Sequence, residues 1–342
     1  MGESSDQRRW LQTDAHGVTR QAKLLMRQKI MAIIRAYFQA EGFLEAEIPL
    51  LVAGTTPDAY IQSFAVQDKY LTTSTEYQIK RMIAGGFAKV YTLTKNFREA
   101  EFGYYHNPEF TMLEWARVHS NLAAIETDVM HIMRALLQEF FPGSSYLPYQ
   151  GFNINLAKEQ WQIRTFQEIF KEHYQLELPE DFRIEEFVPL AQRAGIEVGP
   201  TFQKNPGLFL SELLDNAVKK IGFEAPVLIQ KWPASMTSSA ELSTENQHWT
   251  TRTEIIIAGI ELADGFPFLC DYAAQKAQFE KANALRQSEA LPCVQLDQRY
   301  LAMMQAGLPQ GAGMALGIDR LCMLFTNSAN IRDVLCFSWD EL

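Results

Sequence analysis

Asn96-Phe-Arg98-Glu99-Ala100-Glu101-Phe-Gly-Tyr-Tyr105-His106-Asn107-Pro-Glu-Phe110-Thr-Met112-Leu-Glu114-Trp-Ala116 is the stretch whose reading decides the fold. Its two ends lie in strand-like runs, Val90–Arg98 and Phe110–Arg117. The segment between them, roughly a dozen residues, is rich in aromatic, amide and imidazole groups. This predicts a long-looped antiparallel hairpin with Arg98 at the end of its first strand. A guanidinium there, facing such a loop, suits a triphosphate and a purine, because it can bind an α-phosphate and a carboxylate together. In-line attack on phosphorus needs that alignment. Taken alone, the segment reads better with Arg98 in a surface ion pair. Period-two alternation places Phe110, Met112, Glu114 and Ala116 on one face of the second strand.

Upstream, Met26, Ile30, Ile33, Ile34 and Tyr37 recur at helical spacing, so Thr19–Glu41 reads as one amphipathic helix with Gly42 at its exit. Phe43–Ile48 alternates like a strand and stops at Pro49. A short helix is expected at 75–84 and another amphipathic helix at 121–140. Residues 144–225 have weaker periodicity and read as an insertion carrying short helices near 165–174, 184–194 and 207–221. Residues 1–17 read as a flexible polar arm, and 18–342 as one catalytic domain that includes the insertion.

Two later segments carry charge on apolar strands. In Arg252-Thr-Glu254-Ile-Ile-Ile-Ala258-Gly259-Ile-Glu261-Leu262, two carboxylates on an apolar run are costly to bury without a cation, and magnesium between phosphates would account for both. Their separation of seven puts them on opposite faces of a flat strand. A bulge or bend at Ala258-Gly259 would have to re-aim one of them; otherwise one is an edge residue and the pair is unrelated. In Gly311-Ala-Gly313-Met-Ala-Leu-Gly317-Ile-Asp319-Arg320, a glycine-rich strand runs into a helix whose first turn holds Arg320, within reach of terminal phosphates, while Gly317 leaves room for a nucleotide. Further strands at Val227–Gln230, Glu254–Leu262 and Phe266–Cys270 and a helix at 272–289 complete an α+β pattern without regular βαβ alternation. No P-loop or G-x-G-x-x-G turn is present.

The 342 residues are 47% hydrophobic and 21% charged with a net charge of −10, a globular composition whose surface repels a nucleic-acid backbone. Cys270, Cys293, Cys322 and Cys336 lie far apart with no C-x-x-C pair, which argues against zinc and disulfides and fits a reducing, cytoplasmic setting. No apolar run of signal-peptide or membrane-spanning length occurs, so no membrane partner is expected.

The three charged segments together resemble motifs 2 and 3 of class II aminoacyl-tRNA synthetases, and Arg27–Pro49 resembles the motif 1 helix and strand through which that family dimerises. Tyr105-His-Asn-Pro-Glu-Phe-Thr-Met-Leu-Glu114-Trp and Thr73-Ser74-Thr75-Glu76-Tyr-Gln-Ile-Lys-Arg81 are similar to the lysyl branch. Within it they most resemble the truncated lysyl-tRNA synthetase paralogues of the EpmA (PoxA or GenX) type, which attach (R)-β-lysine to elongation factor P. The resemblance covers residues 20–340. It implies a class II catalytic domain with an antiparallel sheet flanked by helices, a homodimer, and ATP and Mg2+ as cofactors. It also implies an amino acid substrate and a protein acceptor such as elongation factor P. A lysyl-tRNA synthetase carries an anticodon-binding OB-fold of about a hundred residues ahead of motif 1, and its absence here implies no anticodon recognition.

By the same resemblance Arg98 would hold the α-phosphate and the substrate carboxylate, and Arg320 the γ-phosphate. His106 and Asn107 would meet the nucleotide, with Phe110 stacked on adenine and Leu262 and Gly317 lining the ATP site. Glu254 and Glu261 would hold magnesium, and Ser74, Thr75 and Glu76 match the substrate-binding loop whose glutamate would bind the α-amino group. Catalysis would then be charge neutralisation and alignment, with no side-chain nucleophile.

Three positions depart from the family pattern. Ala100 replaces the motif 2 glutamate that helps bind the nucleotide, leaving Glu99 and Glu101 on either side; in a strand these would point to the other face, so either a loop shift recruits one of them or the ATP contacts are thinner than usual. Ala116 replaces a tyrosine, and Phe268 a glutamate, that contact the lysine side chain in the family. A buried ammonium in such a pocket would keep Glu114 as its counter-charge, at a cost of several kcal/mol. Lysine and β-lysine are therefore expected to be poor substrates unless neighbouring residues restore the site. A small-amine or carrier-protein amide ligase and a dimeric binding module stay open as alternatives to the protein-modifying ligase.

Overall fold

The computed structural model describes residues 9–56, 58, 60–237, 239–288 and 291–342. Helix α1 (Arg20–Ala40) starts at Thr19, whose hydroxyl accepts from the Ala22 amide, and exits through Gly42 at φ +75°. It buries Ile30, Ile34 and Phe38, the stripe that its spacing predicts. Three short strands, β1 (Leu44–Glu45), β2 (Leu51–Val52) and β3 (Ala65–Val66), precede β4 (Lys69–Leu71) and helix α2 (Glu76–Ala84). The hairpin strands are β5 (Lys89–Phe97) and β6 (Glu109–Val118), followed by α3 (Leu122–Phe140).

The insertion adds β7 (Tyr146–Tyr149), β8 (Phe152–Asn155), β9 (Gln162–Thr165), α4 (Phe166–Tyr174), α5 (Phe187–Arg193), α6 (Pro200–Lys204) and α7 (Pro206–Val218). Then come β10 (Val227–Pro233), β11 (Trp249–Ile257), β12 (Ile260–Pro267), α8 (Tyr272–Ser288), α9 (Gln298–Ala306), β13 (Gly311–Gly317) and α10 (Ile318–Phe325).

Eight strands form one sheet in the order β1-β5-β6-β13-β12-β11-β10-β9. Neighbours run antiparallel through the middle, but β1 pairs parallel with β5 and β9 parallel with β10. The sheet is therefore mixed where an antiparallel one was expected, because the two edge strands arrive from crossover segments. The Phe43–Ile48 strand is reduced to its two paired residues.

The expected single strand Glu254–Leu262 is two strands. Ala258 and Gly259 take φ +52° and +73°, the two left-handed residues of a tight hairpin turn, so β11 and β12 fold back on each other. Glu254 then faces Asp264, and Glu261 faces Ile256, with a register shift between Ile255 and Ile256. The turn and this shift bring the two glutamates onto neighbouring strands, so the parity problem of a seven-residue spacing disappears. A Cβ on Gly259 would come within 2.9 Å of the Lys219 carbonyl, so glycine is also required there by space.

One face of the sheet packs on α1, α3 and α10 through Phe38, Leu113, Trp115, Val129, Ile132 and Leu321. The opposite face meets α2, α8 and α9 through Tyr77, Ile83, Phe279 and Tyr300. The insertion builds its own core of Phe166, Phe170, Phe187, Leu210 and Leu214 against Ile229 and Trp232 of β10. Of the segment expected as a flexible arm, residues 1–8 lie outside the described residues. Past them the chain is tied down: Trp10 packs edge-on against Phe337 and under the Arg20 guanidinium, and Asp14 pairs with buried Lys23 at 2.7 Å. Among the described residues no helix is long and apolar enough to cross a membrane, and the cysteines are free.

Candidate active site

On the α2 and α8 face of the sheet lies a cavity of about 550 Å3. Its floor is the alternating face of β6, where Met112, Glu114 and Ala116 line it, as the period-two reading requires. Arg98, Ser74, Glu76, Phe268 and Arg252 also line it. Strand β6 lies between β5 and β13, so its carboxylate at Glu114 is walled in, and Glu114 is 5% exposed. Ser74 Oγ and the Thr75 amide donate to it at 2.5 Å, and the Thr75 hydroxyl donates as well. Burial raises the Glu114 carboxyl above its ordinary value, and those donors only partly offset this.

Arg98 follows the last residue of β5. Its Nη1 reaches Glu101 at 3.1 Å, and its guanidinium lies 5.1 Å from the centre of the Phe110 ring. The strand ends at Phe97, so alternation no longer governs the residues after it, and Glu101 turns to Arg98 while Glu99 and Ala100 are exposed. Of the two outcomes open for the flanking glutamates, the loop turns Glu101 to Arg98, and Glu99 stays exposed. Arg98 Nε is buried with no partner among the described residues, a donor left for a ligand.

Arg320, in the first turn of α10, is held at four points, one of them the Tyr105 carbonyl, to which its Nε donates at 3.3 Å. It donates to the Glu261 carbonyl at 2.7 Å and to the Glu261 carboxylate at 3.3 Å, and its Nη2 lies 2.7 Å from His106 Nε2. Burial and the adjacent Arg320 charge hold the His106 imidazole below its ordinary value, so it stays neutral and accepts from the guanidinium. Burial pushes the Glu261 carboxyl up, but Arg320, Arg252 and Arg98 outweigh it and hold that carboxyl below the usual range. Glu254 shifts the other way, raised by burial and then by the Glu261 charge, although Arg252 donates to it at 2.7 Å. The two glutamates are thus electrostatic neighbours with Arg98, Arg320 and Arg252 around them.

Other expected residues fall differently. Leu262 is 2% exposed and its side chain belongs to the core beneath α1 and α3, so it is not in the cavity wall. Asn107 uses both ends of its amide inside the protein: Nδ2 donates to the Glu109 carbonyl at 2.6 Å, and Oδ1 accepts from the Trp339 amide at 3.0 Å. It fastens the motif 2 loop to the C-terminal turn. A Cβ on Gly317 would meet only the Arg320 side chain, at 3.6 Å or more, so packing does not demand that glycine. Gly311 differs, since a Cβ there would come within 2.3 Å of the Arg117 carbonyl.

Three features were not read from the sequence. Arg252 Nε and Nη2 reach Asp264 at 2.8 and 3.3 Å, and its guanidinium lies 4.3 Å from the Trp232 ring centre. The two-residue spacing of Arg252 and Glu254 on one strand face was the available signal. Lys80 is fully buried on α2, paired with Glu76 at 2.5 Å, four residues away on the same helix. The insertion closes one side of the cavity with Ile184, Pro206, Gly207 and Ser211.

A sheet of this order with a hairpin arginine and a β13–α10 arginine defines a class II synthetase catalytic domain, and the chain matches the family of tRNA synthetases class II (D, K and N) over residues 3–341. It belongs to that family. Among relatives, it is 33% identical over 328 residues to the elongation factor P--(R)-beta-lysine ligase of Histophilus somni (strain 2336), covering 93% of this chain and 95% of that protein. It is 32% identical over 331 residues to the ligase of the same name from Erwinia tasmaniensis, covering 94% and 96%. The Haemophilus influenzae (strain PittGG) ligase of that name is 33% identical over 329 residues, covering 93% and 95%.

Proposed function

We propose that this protein is an ATP-dependent ligase that activates an amino acid carboxylate as an acyl-adenylate and passes the acyl group to an amine of a protein acceptor of the elongation factor P type. The observation that carries the reading is that Arg320 grips Glu261, Arg252 grips Glu254 on the neighbouring strand, and the cavity-lining Arg98 shares the electrostatic surroundings of Glu261. The names of the near full-length relatives supply the acceptor.

In this reading a carboxylate oxygen of the amino acid attacks the α-phosphorus of ATP, and the bond to the pyrophosphate oxygen breaks. The acceptor amine then attacks the acyl carbon and AMP leaves. Arg98, whose Nε has no partner among the described residues, aligns the attacking carboxylate with the α-phosphate. Arg320, fixed by Glu261 and neutral His106, neutralises charge on the departing pyrophosphate. Glu254 and Glu261, oxygen donors that the Ala258-Gly259 turn places on neighbouring strands, are the residues that would hold a magnesium ion. Bound there, the ion would screen the triphosphate charge. Phe110, whose ring lies against the Arg98 guanidinium, is the stacking partner of adenine in this reading, and Ser74 and Glu76 stand at the cavity wall, Glu76 for the α-amino group.

Ala116 and Phe268 leave the side-chain end of the cavity without the tyrosine and glutamate of the lysyl pattern, so lysine and β-lysine bind weakly in this reading. The protein acts as a homodimer through α1 and β1, where Leu25 and Leu44 are 62% and 42% exposed. Pyrophosphate exchange across the twenty amino acids and both β-lysine enantiomers tests the activity. Exchange with one of them is expected, and none with any would contradict the assignment.

A further inference from the structure

Among the described residues that line the cavity, two buried side-chain polar atoms have no partner, Arg98 Nε and Ser239 Oγ. The reaction proposed above uses the first and leaves the second without a task. Ser239 is 2% exposed and lies between β10 and β11. Its backbone is tied down: the carbonyl accepts from the Leu269 amide at 3.1 Å, and the next residue, Ala240, bridges Phe268. The Thr237 hydroxyl accepts from the Ala240 amide at 3.3 Å. The segment is thus held in place by contacts in which the Ser239 hydroxyl takes no part.

That segment borders the side-chain end of the cavity. The Phe268 ring lies across Gly311 and Gly313, where an added Cβ would come within 2.9 and 3.2 Å of its carbons, and Ala116 sits beside Gly313. The Lys80 ammonium lies 4.9 Å from the centre of the Phe268 ring and 5.7 Å from that of Phe266. A buried hydroxyl without a partner destabilises the free protein, and a ligand that completes the bond removes the penalty. Serine has three staggered positions for its oxygen, so meeting a ligand needs no movement of the backbone. A serine hydroxyl both donates and accepts, so a side chain ending in an ammonium, a carboxamide or a hydroxyl can complete the bond. A side chain ending in carbon covers the hydroxyl without bonding it, and is discriminated against.

We infer, on the basis of the amino acid site proposed above, that Ser239 is a specificity-determining residue of this cavity. Its hydroxyl is the hydrogen-bond partner of the substrate's side-chain end, and the substrate is an amino acid whose side chain ends in a polar group.

Calorimetric titration of the full chain, with and without a non-hydrolysable ATP analogue and magnesium, compares amino acids matched in shape but not in polarity. The pairs are L-lysine with L-norleucine, L-glutamine with L-methionine, L-asparagine with L-leucine, L-threonine with L-valine and L-tyrosine with L-phenylalanine. The tightest-binding amino acid is expected to be the polar member of its pair, about tenfold or more ahead of its apolar partner. Ser239→Ala is expected to narrow that ratio about tenfold, through weaker binding of the polar member. The same variant should leave the melting temperature of the free protein unchanged or higher, because the hydroxyl it removes has no partner to lose. An apolar amino acid binding tightest overturns the inference, as does binding of none of the ten. An unchanged ratio in Ser239→Ala, or a lowered melting temperature, does the same. A polar preference that Ser239→Ala abolishes, found in a protein that does not bind the analogue, would instead contradict the ATP-dependent reaction and leave the subsite assignment standing.

Discussion

Arg320 shows how one side chain is prepared for a polyanion, since the Glu261 carboxylate and the neutral His106 ring hold its guanidinium before any ligand arrives. Arg320→Ala should lower pyrophosphate exchange on the order of 10²–10³-fold with little change in melting temperature, the usual consequence of losing a preorganised charge contact. Arg98→Lys should not rescue Arg98→Ala in the same assay, because an ammonium cannot replace a planar fork that meets phosphate and carboxylate at once. His106 gives a pH signature. Its folded-state value lies below the ordinary one near 6.5, so the stability tied to neutral His106 is complete above that pH. It is lost as the pH falls, because the unfolded chain takes up the proton first. Melting temperature followed from pH 8 to pH 5 should decline, and His106→Gln should flatten part of the decline.

Between elements, Asp319 is the tie that carries most strain if removed. It accepts from Arg27 of α1 at 2.5 Å and from the Thr111 amide of β6 at 2.8 Å, and it is 2% exposed. Asp319→Ala leaves a part-buried guanidinium without its counter-charge and a strand amide without its acceptor, and should cost about 3–5 kcal/mol in urea unfolding. The Ala258-Gly259 turn is a second tight joint, and Gly259→Val should destabilise by about 1–3 kcal/mol for its positive φ and its crowding by Lys219.

These two elements also mark how far the sequence could be read. The long helices, the β5–β6 hairpin and the β13–α10 passage were legible because their apolar spacing is local. Residues 254–262 were read as one strand because the run is apolar throughout, and only the impossible parity of Glu254 and Glu261 signalled the turn. Strand β9 gave no signal, since Gln162–Thr165 has two exposed residues followed by two half-buried ones and no alternation. The pairing of Arg252 with Asp264, and of Lys80 with two phenylalanines, depends on strands and helices distant in the chain, which no spacing rule reaches. Leu262 and Asn107 were carried over by position in a motif, and their actual contacts are with the core and with the C-terminal turn.

At the scale of the whole molecule, the mixed sheet separates two tasks: its α1 and α3 face is a dry core, and its other face is the cavity over which the insertion leans. Exposed Leu25 and Leu44 lie on the helix and strand proposed to join two copies. Sedimentation equilibrium should give the mass of two chains, and Leu25→Asp with Leu44→Asp should shift it toward one.

The measurement that bears most directly on the account is a crystal structure of the protein with a non-hydrolysable ATP analogue and magnesium. The account predicts the triphosphate bent between Arg98 and Arg320, with metal density against Glu254 and Glu261. A nucleotide bound elsewhere on the surface, with those four side chains making no contact to it, would contradict it.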